Sequence, residues 1–277
     1  MQSSQKENNM AYEILVLDID GTLTNSQKEV SPQTLEAILK AQERGHKVVL
    51  ASGRPTPGIL ALASRLKLSE YNGFILSFNG AKIINCKTNE IIYQKVMPRE
   101  LLPKLYAAAI ANSVGIISYE NNSIIAGTDI DEYMEKEAKI NGIPIKKVDD
   151  FPNYFTFDIN KCLMTGPGTH LEEVEQTMKN QFGDQLNIYR SEPYFLELMP
   201  KHIDKAYSLS KLLDYLGLSK DQMISCGDGY NDLTMIQYAG MGVAMANAQE
   251  IVKRAADYIT LSNDEDGVAH VINEFML

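Results

Sequence analysis

Apolar residues run without a break through Ile14-Leu15-Val16-Leu17, bounded by Glu13 and Asp18. A short unbroken run of branched residues predicts a strand buried on both faces, as in a parallel sheet. The period then changes. Ser31-Pro32 offers an N-cap and a proline for the first helical turn, Leu35, Ile38 and Leu39 recur at helical spacing, and Gly45 ends the segment. A second apolar run at 47–51, a helix near 57–67 and a third run at 73–77 repeat the alternation. Strand and helix in turn predict a parallel sheet with helices on its faces.

After Asn79-Gly80 the pattern shifts. Residues 82–86 and 91–95 flank a polar turn at 87–90, and 116–120 and 123–126 flank Asn121-Asn122. Both read as antiparallel hairpins. Helices near 99–112, 130–141 and 169–182 are mixed with strands near 161–165, 186–190 and 194–198. Alternation resumes with helices near 204–216, 231–239 and 248–255 and strands near 222–226, 242–245 and 258–260. The expected fold is α/β: a Rossmann-like parallel-sheet core with helices on both faces, plus an inserted α+β cap domain. The core would be discontinuous, 11–84 and 192–277, with the cap at 85–191 and a disordered tail at 1–10, where Met10 is an alternative start.

Composition narrows the function. Of 277 residues, 44% are hydrophobic and 22% charged, which excludes a chain disordered throughout. With 26 Lys+Arg against 36 Asp+Glu the net charge is −10, so binding to a nucleic-acid backbone is not expected. No apolar run approaches the roughly 20 residues of a membrane span, and the polar first ten residues do not read as the apolar core of a signal peptide. Cys86, Cys162 and Cys226 are far apart, as are the four histidines, which argues against a disulfide framework or a zinc site. A cytoplasmic protein is expected. Nothing in the sequence implies a protein partner.

In open α/β sheets ligands bind beyond the carboxyl ends of the strands. There stand Asp18-Ile19-Asp20-Gly21-Thr22-Leu23 after the first strand, Ser52-Gly53-Arg54 after the second, and Gly227-Asp228-Gly229-Tyr230-Asn231-Asp232 after the strand at 222–226. Each motif alone is an ordinary turn, and Lys205 alone an ordinary helix start. Together they would crowd four carboxylates at one sheet edge, where they repel unless a cation joins them. Oxygen ligands without His or Cys favour a hard ion, Mg²⁺ foremost.

These residues resemble the motifs of the haloacid dehalogenase-like phosphohydrolases. Asp18–Leu23 matches the DxDGT motif, Ser52 the second motif, Lys205 the third and 227–232 the GDxxND motif. The stretches 242–248 and 263–268 are similar to the Cof-like branch, which carries a large cap between the second and third motifs. One departure stands out. The branch usually reads P-x-G-x-x-K-G around its lysine, whereas Pro200-Lys201-His202-Ile203-Asp204-Lys205-Ala206 lacks both glycines, which leaves the local turn open.

The resemblance implies a Mg²⁺-dependent phosphatase acting on small phosphorylated metabolites, sugar phosphates first. Asp18 would be the nucleophile and Asp20 the acid and base. Asp18, Asp20 (through its main-chain carbonyl), Asp228 and Asp232 would serve the metal. Ser52, Lys205, Asn231, Gly21 and Gly53 would surround the phosphoryl group, and Arg54 is a candidate for substrate contact. A phosphotransferase or mutase on the same core, or a non-catalytic metabolite-binding regulator, are the alternatives. Within the cap, Tyr119, Glu120, Asp158 and Tyr189 are candidates for substrate contact that read equally well as surface or core.

Overall fold

Unbroken apolar runs give strands buried on both faces, and these build the centre of the molecule. The computed structural model describes residues 12–277; the expected tail at 1–10 and the start at Met10 lie outside the described residues. The chain begins with β1 (Ile14–Leu17), α1 (Pro32–Glu43), β2 (Lys47–Ala51), α2 (Pro57–Arg65), β3 (Phe74–Ser77), β4 (Lys82–Asn85) and β5 (Ile91–Gln94). It continues with α3 (Leu102–Ala111), β6 (Gly115–Glu120), β7 (Ser123–Ala126), α4 (Glu132–Asn141), β8 (Ile145–Lys147), α5 (Phe151–Tyr154), β9 (Cys162–Thr165), α6 (Gly168–Phe182), β10 (Leu186–Glu192) and β11 (Phe195–Pro200). It ends with α7 (Lys205–Leu216), β12 (Met223–Gly227), α8 (Leu233–Tyr238), β13 (Met241–Ala244), α9 (Glu250–Ala255), β14 (Tyr258–Ile259) and α10 (Gly267–Phe275).

Two sheets result. The first has eight strands in the order β14-β13-β12-β1-β2-β3-β4-β5, and the second six in the order β10-β11-β9-β6-β7-β8. From β14 to β3 the first sheet is parallel, and Ile14–Leu17 are buried completely at its centre. Leu17 is in register with Leu50 of β2 and Cys226 of β12. The carboxyl ends of three neighbouring strands therefore open side by side. This is the α/β core that the alternation predicts.

The second sheet is largely antiparallel and packs one face on α3, α5 and α6 through Leu105, Phe151, Met164 and Met178. Its other face carries Ile117, Tyr119, Leu163, Phe195 and Met199, which cluster with Phe78 and Ala81 from the β3–β4 turn. The hairpin at 82–94 pairs β4 with β3 and so extends the first sheet, although the expectation placed most of it in the insertion. Conversely β10 and β11, out to Pro200, belong to the second sheet. A polar turn such as Lys87-Thr88-Asn89 fixes local pairing, but does not say which sheet the hairpin joins. Two short elements went unread: β8, three residues long, and α5, four residues.

Candidate active site

The aligned strand ends gather the acids. Asp18 follows β1, and its N–H donates to the Cys226 carbonyl of β12 at 3.0 Å. Asp228 follows β12, and Asp232 sits in the turn leading to α8. Carboxylate oxygens of Asp18, Asp228 and Asp232 lie within 4.8 Å of one another. Gly21 makes this approach possible, with φ +85° and a position where a Cβ would run into the Asp228 carboxylate. Thr22 then donates its hydroxyl to Asp228 Oδ1 at 2.8 Å.

Lys205, fully buried at the start of α7, balances the cluster. Its Nζ donates to Asp18 Oδ1 at 2.8 Å, Asp232 Oδ1 at 2.6 Å and the Ala51 carbonyl at 2.8 Å. Burial pulls its pKa down, but Asp18 and Asp232 outweigh this and hold it above the ordinary lysine value. The Lys205 turn forms without the family's glycines. His202 occupies the first vacated position with φ +57°, in the left-handed region that favours glycine, and Ala206 enters the helix. Asp204 caps α7 by accepting from the Tyr207 N–H at 2.8 Å.

Two of the acids remain costly. Burial, then Asp232, push the Asp18 pKa well above the usual carboxylate value despite Lys205. Burial pushes Asp228 up to about 6. Asp232 is engaged on both oxygens: Oδ1 takes Lys205, and Oδ2 takes the N–H groups of Asp228 and Gly229 at 3.0 and 2.9 Å. Among the described residues no donor reaches Oδ2 of Asp18 or of Asp228. Two free carboxylate oxygens beside an all-oxygen set fit a hard divalent cation.

Asp20 turns away from this group. Its carboxylate accepts from Arg54 and, at 3.0 Å, from Lys28. Arg54 thus spends its guanidinium on a neighbouring acid. Ser52 is buried after β2 and its hydroxyl accepts from the Arg54 N–H at 3.2 Å. Asn231 donates to Asn79 Oδ1 at 3.2 Å, and Asn79 donates to the Tyr189 hydroxyl at 2.9 Å, which joins the first sheet's edge to the second sheet. Gly53 lies against Asn79.

A cleft of about 630 Å³ opens between the sheets. Gly53, Arg54, Asn79, Lys205 and Asn231 line its floor, and Glu137, Lys161, Tyr189 and Glu197 its roof. Of the four cap candidates only Tyr189 lines it. Tyr119 is buried behind, with its hydroxyl on Glu137 at 2.6 Å; Glu120 accepts from Tyr154; Asp158 is exposed near Arg99. Sequence reasoning met Thr22 and Asn247 inside motifs without giving them a role, and missed Asn79, Glu137, Lys161 and Glu197. Asn247 holds the Gly21 carbonyl at 2.8 Å. The strand-end rule reaches Asn79, which closely follows β3, but nothing local marks Glu137 or Lys161.

Comparison with known proteins agrees with this geometry. A family model described as haloacid dehalogenase-like hydrolase matches residues 15–272. The chain is 31% identical over 275 residues to the Bacillus subtilis 5-amino-6-(5-phospho-D-ribitylamino)uracil phosphatase YcsE, covering 99% of this chain and 100% of that protein. A haloacid dehalogenase-like hydrolase from Bacteroides thetaiotaomicron superposes with TM-score 0.92 at 50% identity, covering 95% of this chain and 98% of the other. The subclass IIB sugar phosphatase BT4131 superposes with TM-score 0.78 at 27% identity, again covering 95% and 98%. Strand-end acids, buried lysine and inserted second sheet therefore have one common explanation: the chain belongs to the haloacid dehalogenase-like hydrolases, in their Cof-like branch.

Proposed function

We propose that this phosphatase hydrolyses small phosphorylated metabolites, sugar phosphates foremost, through an aspartyl-phosphate on Asp18. The observation that carries the reading is the Asp18 carboxylate. It is held by Lys205 on one oxygen, has the other free, and stands beside Asp228 at the strand edge. An attacking carboxylate splits one slow displacement into two easier ones. One Asp18 oxygen attacks phosphorus while the leaving-group oxygen departs with a proton from Asp20; Asp20 then takes a proton from the water that cleaves the acyl phosphate. Ser52, Asn231, Lys205 and the N–H groups near Ile19 and Gly21 hold the phosphoryl oxygens.

Asp18, Asp228 and the Asp20 main-chain carbonyl would hold Mg²⁺, with Asp232, its oxygens already taken, orienting its neighbours. The bound ion would neutralise the acids and the charge gathering on the phosphoryl group. We assign the segment around the second sheet, roughly 96–200, as the cap that closes over substrate and excludes bulk water. Release of inorganic phosphate from para-nitrophenyl phosphate and a panel of sugar phosphates, with and without Mg²⁺, tests the reading. No release under any condition overturns it.

A further inference from the structure

The cleft's charges are unevenly committed. Four cations line it, Arg54, Lys161, Arg190 and Lys205, and each is already paired. Arg54 binds Asp20 at 2.7 Å and Lys161 binds Glu197 at 2.9 Å. Arg190 binds Glu175 at 2.9 Å and Glu172 at 3.6 Å, and Lys205 binds Asp18 and Asp232. Three acids of the lining, Glu137, Glu192 and Asp204, pair with no cation among the described residues.

Glu137 is the most sheltered of the three. It is 7% exposed, on the α4 wall of the cleft, and Oε1 is fixed by the Tyr119 hydroxyl at 2.6 Å. Beside it the Tyr119 ring lies under the Lys161 ammonium, 5.3 Å from the centroid, and Lys161 spends its charge on Glu197. Glu197 in turn accepts from Ser191 at 2.9 Å. The roof is thus a rigid polar network with its positive charge used and one carboxylate oxygen left over.

We propose that this cleft selects leaving groups that offer hydroxyl or amino donors and carry no second negative charge, and that Glu137 is the residue that reads them. The inference rests on the phosphatase reading above. A leaving group carrying a carboxylate or second phosphate finds no free guanidinium or ammonium in the cleft. It meets Glu137 where burial weakens solvent screening, and like charges at such a distance repel strongly. A hydroxyl donates to the free Glu137 oxygen, and an ammonium does so with opposite charge. The monophosphate itself is held at the floor and does not depend on the roof's charge.

Three probes with six carbons and a common 6-phosphate separate the cases: glucosamine 6-phosphate, glucose 6-phosphate and 6-phosphogluconate. We expect kcat/KM for 6-phosphogluconate at least about tenfold below that for glucose 6-phosphate, a ratio that one unfavourable contact suffices to produce. Glucosamine 6-phosphate should equal or exceed glucose 6-phosphate. Glu137→Gln keeps the acceptor for Tyr119 and removes the charge, so the ratio of 6-phosphogluconate to glucose 6-phosphate should rise about threefold or more. Glu192→Gln, at an exposed position, should move the ratio the same way by less, and decides the matter if Glu137→Gln does not fold. Equal rates on the three probes, or an unchanged ratio in the folded variant, overturn the inference. If para-nitrophenyl phosphate is still hydrolysed, the phosphatase reading survives that failure; if no phosphate is released from any compound, both fall.

Discussion

Arg54 grips Asp20 with two hydrogen bonds, Nε to Oδ2 at 2.8 Å and Nη2 to Oδ1 at 2.7 Å. Burial pushes the Asp20 pKa up, but Arg54 and Lys28 outweigh it and hold the carboxyl below its ordinary value. An acid held ionised is well placed to take a proton from water and poorly placed to give one to a leaving group. How readily Asp20 gives its proton therefore depends on the charge that Arg54 and Lys28 set beside it. Arg54→Met removes the main charge that lowers Asp20. The limb of the kcat/KM profile that reports loss of the Asp20 proton should then move to higher pH, even if the maximum falls. A limb that stays in place would mean that Asp20 is not the proton donor or that Arg54 does not control it.

Asp18 and Asp228 have the opposite sign. Their folded pKa values are raised, so the folded protein binds protons that the unfolded chain has lost; metal-free stability falls as pH rises above the ordinary carboxylate value, for Asp228 through about 6. Asp20 contributes the reverse, stability present above about 4 and lost as pH falls through its lowered value. Asp18→Asn should lower turnover by several orders of magnitude by removing the nucleophile. It should also raise the melting temperature of the chelator-treated protein, by a margin that grows between pH 4 and 7. Thermal melts of both proteins across that range check the second part, and phosphate release checks the first.

Chelation should abolish activity and Mg²⁺ restore it. Ca²⁺ should restore little, because its larger radius and looser coordination do not hold in-line geometry. Full turnover in chelator would leave the free oxygens of Asp18 and Asp228 without a purpose.

Much of this site was readable before folding, for a physical reason. Asp18, Ser52 and Asp228 each directly follow a buried strand, and register alone carries them to one edge. Lys205 was reached through motif spacing, and its ammonium meets Asp18 across 187 positions of sequence. What could not be read depends on contacts between segments. Arg54 bonds to Asp20 rather than facing the cleft freely, a choice that side-chain packing makes. Glu137 and Lys161 look like surface charges on a helix and beside a strand; both are buried against partners distant in sequence, Tyr119 of β6 and Glu197 of β11. The hairpin at 82–94 had the right local pairing and the wrong sheet, since pairing is local and sheet membership is not.

Lys205 and Lys201 should behave differently. Lys205→Met leaves Asp18 and Asp232 buried without their cation, a loss of about 3–5 kcal/mol in stability. It also removes roughly 2–4 kcal/mol of transition-state stabilisation. Lys201→Ala should change neither. His202→Gly should raise stability by about 0.5–1 kcal/mol, because glycine accepts the positive φ that histidine bears at a cost. Chemical denaturation and phosphate release on the three variants check the set. Equal effects of the two lysine substitutions would mean that the third motif is placed wrongly, and a destabilised His202→Gly would mean that the turn is not strained.

The two halves of the cleft also touch at a point that glycine makes possible. Gly58, in the first turn of α2, faces Asn141, the last residue of α4, and a Cβ on Gly58 would collide with the Asn141 amide oxygen. That oxygen is buried without a donor, while the amide nitrogen bonds to the Glu137 carbonyl at 2.9 Å. The Gly58 carbonyl also accepts from Arg54 at 3.4 Å, so the contact adjoins the group that holds Asp20. Alanine is the better helix former by up to about 1 kcal/mol, and at this position helix propensity alone predicts no loss of stability from Gly58→Ala. The added methyl should instead keep α4 from seating on α2. We expect kcat/KM for a sugar phosphate to fall about tenfold, equivalent to roughly 1.4 kcal/mol, with the melting temperature maintained. Asn141→Gly in the same chain should restore activity, since it removes the atom the methyl strikes. If Gly58→Ala is fully active, or the double variant is no better than the single one, the contact is incidental and closure is set elsewhere.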